Sequence, residues 1–226
     1  MLRADPGALG GVTVPADRVW YVSYGANMAA HRFDRYLRGG RPPGGRRANP
    51  GCRDRTPPAR RRAVWIGGGV YFALESPMWG GGLAVYDPDL PAVTPARAYL
   101  VTVSQFSDVA AQEMYREPGA DVDLGALLAA GRLRLGPGRY DLLVVLGRLE
   151  GLPMVTLAAP WPMASVRPVP PSAAYLRTIG VGLAESHGWP VSRIAAHLAG
   201  LPGAREAWTP GAVAALLDGG RAAGTP

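Results

Sequence analysis

The stretch Tyr21-Val22-Ser23-Tyr24-Gly25-Ala26-Asn27-Met28 decides how this chain is read. It sits in a run, 18–24 (RVWYVSY), whose β-branched and aromatic residues predict a strand that stops at Gly25. Beyond it, 29–37 reads as a helix. Met28, Phe33 and Leu37 fall on one side, Arg32, Arg35 and Arg38 face the other, and Gly39-Gly40 ends it. A glycine at a strand-to-helix corner lets the backbone turn sharply and brings successive N–H groups toward the positive end of the helix. That is a seat for a carboxylate or an oxyanion. On local physics alone, an ordinary strand-to-helix turn accounts for the same residues.

Working outward, 41–62 is a Pro/Gly/Arg tract without hydrophobic periodicity and predicts a long irregular loop. Strands are expected at 63–66, 70–75, 83–86 and 96–103, separated by glycine triplets and a Pro-rich turn, which makes the middle of the chain β-rich. Ser104 reads as the N-cap of a helix over 105–115, and a short helix over 123–130 follows. Strands at 140–149 and 154–157 precede a helical last third: 173–186 capped by Ser172, then 191–199, then 210–217 with proline at its first position. There is no internal repeat. Residues 1–17 lack the apolar core of a signal peptide and read as a loose leader. Residues 18–200 form the expected domain, carrying the 41–62 loop, and 201–226 a C-terminal helix and tail.

The composition excludes several chemistries. The chain has 226 residues, enough to bury a core without disulfides, and its net charge is +7. All 24 basic residues are arginine, so the phosphate-binding Walker loop, the kinase strand lysine and Schiff-base chemistry are all ruled out. Only His31, His187 and His197 are present, with no H-E-x-x-H or C-x-x-C spacing, which argues against a zinc hydrolase and against a zinc-dependent deacetylase. No G-x-S-x-G elbow occurs. No window approaches the roughly 18 apolar residues of a membrane helix, so no membrane partner is expected and a cytoplasmic location is. Residues 32–62 hold eleven arginines against Asp34 and Asp54, a local net of +9 that leaves −2 for the remainder. The basicity is one segment, and it lacks the interleaved aromatics that stack bases, so nucleic acid is disfavoured as a partner.

Three stretches, in order, carry a resemblance. Y-V-S-Y-G-A-N-M over 21–28 resembles the Y-x-x-Y-G-S-N-[LM] signature of the γ-glutamylcyclotransferase-like superfamily. Residues 97–113, a strand running into a helix that ends on Gln112-Glu113, resemble the family's strand and glutamate-bearing helix. Residues 175–190 are similar to its later Y-x-x-x-I-x-x-G-A-x-E-x-G-L-P segment. The resemblance implies an α+β fold, a compact mixed-strand β-barrel flanked by helices with the site at its mouth. It further implies metal-free, cofactor-free cyclisation of a small-molecule γ-glutamyl amide to 5-oxoproline, with Glu113 as general base and acid. Tyr24, Gly25, Ala26 and Asn27 would hold the γ-glutamyl group through the loop's amides, and Tyr175 would contact it. Two positions depart from the family: the motif serine is Ala26, and Met114 follows the glutamate where glycine is common.

Without the resemblance, Glu113 is a solvated helix-face glutamate beside Arg116, with Glu117 one turn on as its alternative, and Tyr175 is a packing tyrosine. Glu75, at the end of an apolar strand before Ser76-Pro77-Met78-Trp79, is a further candidate for lining the pocket. Cys52 has Arg53 beside it, which favours a thiolate, but in a loop without a partner motif it reads as an inert surface thiol. Asp87, Asp89, Asp121 and Asp123 lie in turns, where Asp is expected without a metal. The competing function class is a binding protein, either a non-catalytic carboxylate-ligand-binding member of the same fold or an Arg-loop nucleic-acid binder. Nothing in the sequence specifies an oligomer.

Overall fold

Strand β1 (Arg18–Ser23) runs through the middle of a six-stranded mixed sheet in the computed structural model, which describes residues 17–222. The expected leader therefore lies almost wholly outside the described residues. Beside β1 lie β5 (Val93–Thr102), antiparallel, and β8 (Leu152–Ala158), parallel. The sheet continues through β2 (Arg60–Gly67) on one side and β7 (Leu142–Leu149) and β6 (Arg132–Arg134) on the other, in the order β2-β5-β1-β8-β7-β6.

The alternation of β1 sorts its side chains between two apolar layers. Trp20, Val22 and Tyr24 face helices α4 (Ala173–His187) and α5 (Val191–Gly200) through Leu176, Ile179, Leu183, Ile194 and Leu198. Val19 and Tyr21 face α1 (Ala30–Arg38) and α2 (Val103–Glu113) through Phe33, Leu37, Phe106 and Val109. Helix α3 (Leu124–Ala130) lies beside β6 and β7, and α6 (Pro210–Ala222) packs on α4 and α5 with Val213 buried.

The expected barrel is not formed, because the sheet is open. Its edge strands β2 and β6 do not pair. Strands β3 (Gly69–Ala73) and β4 (Leu83–Asp87) pair with each other as a separate two-stranded sheet. The outer edge of β3 is taken by loops, Val169 N donating to Phe72 O at 2.9 Å and Phe72 N to Pro202 O at 2.8 Å, and that of β4 by two tyrosines, Ala84 N donating to the Tyr175 hydroxyl at 3.3 Å and the Tyr140 hydroxyl to Ala84 O at 2.6 Å.

Three local expectations also shift. The 41–62 loop ends early, because Arg60, Arg61 and Arg62 already pair with Leu100, Tyr99 and Ala98 as the start of β2. Helix α2 is capped by Thr102 rather than Ser104. Thr102 Oγ1 accepts from Gln105 N at 3.0 Å while Gln105 Oε1 accepts from Thr102 N at 3.1 Å, a reciprocal capping box. The three-residue β6 was not anticipated. By contrast, Ser172 caps α4 as expected.

Candidate active site

The turn that follows β1 is a single turn of 3-10 helix, Ala26–Met28, in which Met28 N donates to Gly25 O and Ala29 N to Ala26 O, each at 3.0 Å. The amides of Ala26 and Asn27 head the turn and are not consumed by it. Two elements fix it from behind. Tyr99 of β5 donates its hydroxyl to Asn27 O at 2.8 Å and Met28 O at 3.0 Å. Helix α4 lays Gly182 against it so closely that a Cβ there would stand 2.5 Å from Met28 Cβ and 2.6 Å from Ala29 N. One turn on, Glu185 Oε2 accepts from Ala30 N at 2.9 Å, capping α1, and from Arg97 Nη1 at 2.7 Å. The Gly182 and Glu185 positions of the third stretch thus serve the first. Gly25 takes no positive φ, its φ being −116° and ψ −145°, and a Cβ there would meet the Tyr175 hydroxyl at an ordinary contact distance of 3.4 Å.

In front of the turn is a cavity of about 170 Å³. Tyr24, Gly25, Ala26, Asn27, Glu113 and Tyr175 all line it. Asn27 Nδ2 donates to Glu113 Oε1 at 2.9 Å and to the Tyr21 hydroxyl at 3.1 Å. Burial pushes the Glu113 carboxyl above the usual range, while the Arg32 guanidinium and the neighbouring Tyr36 and Asn27 side chains pull it down. Tyr24 donates to Leu157 O at 2.8 Å, and Tyr175 accepts from Ala84 N at 3.3 Å and stacks on Trp79 with ring centroids 5.5 Å apart. Glu117 reaches the cavity from an exposed position.

Glu75 does not join them. It is exposed and outside the cavity, and its carbonyl accepts from Arg139, while Ser76, Met78 and Trp79 beyond it fold onto the cavity wall. Cys52 is buried rather than on the surface. Its thiol donates to Tyr36 O at 3.3 Å and is pushed up to about 12 by burial and by Asp108, which outweigh Arg53. Each turn aspartate has a structural partner: Asp123 caps α3, Asp87 accepts from Met163 N at 2.9 Å, Asp89 pairs with Arg132 and Asp121 with Arg53. Among the described residues, no three or more His, Cys, Asp or Glu cluster as a metal site needs.

Arg32 was placed by helical spacing on the side away from the core, yet it is only 2% exposed and lines the cavity. It shares a face with Tyr36, one turn later, over whose ring its guanidinium lies at 4.3 Å. Asn49 from the long loop accepts from Arg32 Nη1 at 2.9 Å and is itself held by Gln112 Oε1 at 3.3 Å. Part of the charge of the 41–62 stretch is committed elsewhere. Arg53 pairs with Asp108 at 2.9 Å, Arg60 and Arg62 pair with Glu150 at 2.6 and 3.0 Å, and Arg47 stacks on Tyr115 at the cavity rim, 4.9 Å from its ring centroid.

The α+β sheet thus gathers a desolvated glutamate and a buried cation around one cavity of about 170 Å³. No family model matches the chain. Histone deacetylase 5 of Arabidopsis thaliana is 32% identical over 187 residues, which are 74% of this chain and 28% of that protein, so the chain spans less than a third of this curated relative. Similar solved structures include a gamma-glutamyl cyclotransferase, at 14% identity and a TM-score of 0.47, and an uncharacterized protein from Homo sapiens, at 16% identity and a TM-score of 0.46. Each comparison covers 78% of this chain and 84% of the other. Among the described residues, no helix is long and apolar enough to cross a membrane.

Proposed function

We propose that the chain is a γ-glutamyl cyclotransferase, converting a γ-glutamyl amide to 5-oxoproline and a free amine. The observation that carries this reading is the 2.9 Å bond from Asn27 Nδ2 to Glu113 Oε1, which joins the signature turn to the glutamate in one cavity. The chemistry needs little more. The substrate's own α-amino nitrogen lies within reach of its γ-carbonyl carbon once the chain is bent, so holding that near-attack shape supplies much of the rate. Glu113 takes a proton from the α-ammonium and the freed amine attacks the γ-carbonyl. The tetrahedral intermediate gives up a second proton as its C–N bond to the leaving group breaks. Both protons end on the departing amine, and Glu113 returns to the carboxylate. A raised pKa suits a residue that must act first as base and then as acid. The amides heading the turn at Ala26 and Asn27 are the candidate donors to the oxyanion; the absent motif hydroxyl at Ala26 leaves them intact.

The name of the curated relative carries no argument for this cavity, because the chain spans only 28% of that protein. The nucleic-acid reading is weakened by the pairing of Arg53, Arg60 and Arg62. The test is incubation of the purified protein with γ-glutamyl amino acids and γ-glutamylamines, following 5-oxoproline. Turnover by the wild type that Glu113→Gln abolishes is expected. Absence of turnover across the panel, or full activity in Glu113→Gln, rejects the assignment and favours a non-catalytic carboxylate-binding protein.

A further inference from the structure

We propose that Arg32 is a carboxylate-binding residue that selects ligands bearing an α-carboxylate, so that the cavity takes an α-amino acid end as a zwitterion. This deepens the cyclotransferase reading and rests on it for the substrate, but not for the carboxylate site.

The contrast with a second buried arginine carries the argument. Arg97, 8% exposed, is neutralised by Glu185 at 2.7 Å. Arg32 is more deeply buried and has no carboxylate within 4.0 Å among the described residues. Its guanidinium makes one hydrogen bond, to Asn49, and its Nε has no partner. A buried guanidinium is costly unless an anion and hydrogen bonds compensate it; the Glu113 carboxyl across the same cavity forms no ion pair with it within 4.0 Å, and the faces of Tyr36 and Trp79, at 4.3 and 5.7 Å, are only partial compensation. A carboxylate would complete that compensation, since the arginine fork matches it in both geometry and charge.

The side chain is also held in place before any ligand arrives. Asn49 is fixed by Gln112, and Gln112 Nε2 donates to Tyr36 O at 3.1 Å, so the residue preceding Glu113 orients the cation through Asn49. A ligand with an ammonium next to its carboxylate meets both charges of the cavity, the ammonium at Glu113 and the carboxylate at Arg32. In the cyclotransferase reading, that pairing bends the chain so that the γ-carbonyl faces the amine.

The probes are 5-oxoproline and 2-pyrrolidinone, the same lactam with and without the carboxylate, titrated by calorimetry. Wild type is expected to bind 5-oxoproline about tenfold or more tightly than 2-pyrrolidinone, the ratio set by charge-assisted hydrogen bonds, and Arg32→Gln to bind the two about equally. In turnover, the wild-type preference in kcat/KM for a γ-glutamyl amide over the 4-aminobutanoyl amide of the same amine should collapse in the same variant. Retention of either discrimination by Arg32→Gln overturns the proposal, as does a wild type that does not distinguish the two lactams. If Arg32→Gln fails to fold, the Arg32 Nε–Hε resonance of the wild type decides. A shift with 5-oxoproline but not with 2-pyrrolidinone supports the assignment, and no shift overturns it. Arg32-dependent binding of 5-oxoproline without turnover of any γ-glutamyl amide would reject the cyclotransferase reading while the carboxylate site stands.

Discussion

Asn27 Nδ2 donates to Glu113 Oε1 at 2.9 Å across 86 positions of chain, and the same nitrogen donates to the Tyr21 hydroxyl at 3.1 Å. A bond to the ionised carboxylate favours that form, so Asn27 and Arg32 both restrain a pKa that burial raises. Asn27→Ala removes one restraint. In the cyclotransferase reading, the acid limb of kcat/KM against pH is expected above the ordinary glutamate value of about 4.3 in the wild type and further up in the variant, with kcat lowered about 10- to 100-fold at neutral pH. Arg32→Gln should move the limb in the same direction. A pH–rate profile of each variant checks this, and a limb that stays put or moves down contradicts it.

The same shift has a consequence for stability that does not depend on the reaction. Because the folded-state pKa of Glu113 is raised, the folded protein binds its proton more tightly than the unfolded chain does. The stabilisation is fully present below the unfolded value of about 4.3 and is lost as pH rises through the folded value. Glutamine cannot ionise, so Glu113→Gln should gain on the wild type over that window and hold a constant difference on either side. Urea unfolding of both proteins at a series of pH values measures it. A difference that is independent of pH would show that Glu113 is not desolvated.

Gly182 carries the close approach of α4 to the signature turn. A methyl group there meets Met28 Cβ at 2.5 Å and the backbone nitrogen of Ala29 at 2.6 Å, and backbone cannot move aside as a flexible side chain can. Gly182→Ala should therefore cost about 1–3 kcal/mol and displace the turn, lowering activity beyond the loss of stability. Glu185→Gln acts on the same turn by leaving Arg97 without its anion and Ala30 N with a weaker acceptor, for a loss of about 1–3 kcal/mol. Denaturation midpoints and kcat report the two effects separately. Wild-type behaviour of Gly182→Ala would mean that the helix is free to slide.

How much of this was readable from the sequence follows from the range of each interaction. β1, its turn and α1 were legible because hydrophobic periodicity and Gly25 are local signals, as was the Ser172 cap. The Thr102 cap was written as T-x-x-Q with Gln105 three residues on, a stronger signal than the lone Ser104. Glu75 was misplaced because β3 ends at Ala73 and Leu74 takes a φ of +59°, so Glu75 falls at an exposed position beyond the strand while Ser76, Met78 and Trp79 reach the cavity wall. Arg32 was hidden because its companions Asn49 and Trp79 come from distant loops, leaving only the spacing to Tyr36 as a clue. Barrel closure was not readable at all. It depends on which edges meet, and distant groups occupy them, Val169 and Pro202 along β3 and the Tyr140 and Tyr175 hydroxyls along β4.

Tyr115 ends α2 in the left-handed region, φ +57°, with its N–H on Gln112 O at 3.0 Å and Arg116 N on Ala111 O at 2.8 Å. This is the position at which helices usually place glycine, one residue beyond the Met114 departure. A tyrosine there costs roughly 1–2 kcal/mol of strain, against about 0.5–1 kcal/mol of extra unfolded-state entropy that glycine would bring. Tyr115→Gly should then raise the melting temperature by roughly one to three degrees for a chain of this length. The ring nevertheless stacks under Arg47 at the cavity rim, so the same substitution should raise KM while leaving kcat much less affected. Tyr115→Asn, which tolerates the same backbone conformation but carries no ring, should raise KM to a similar extent. A variant that gains stability with KM unchanged would show that the strained tyrosine serves no substrate. One that loses stability would show that ring contacts outweigh the strain.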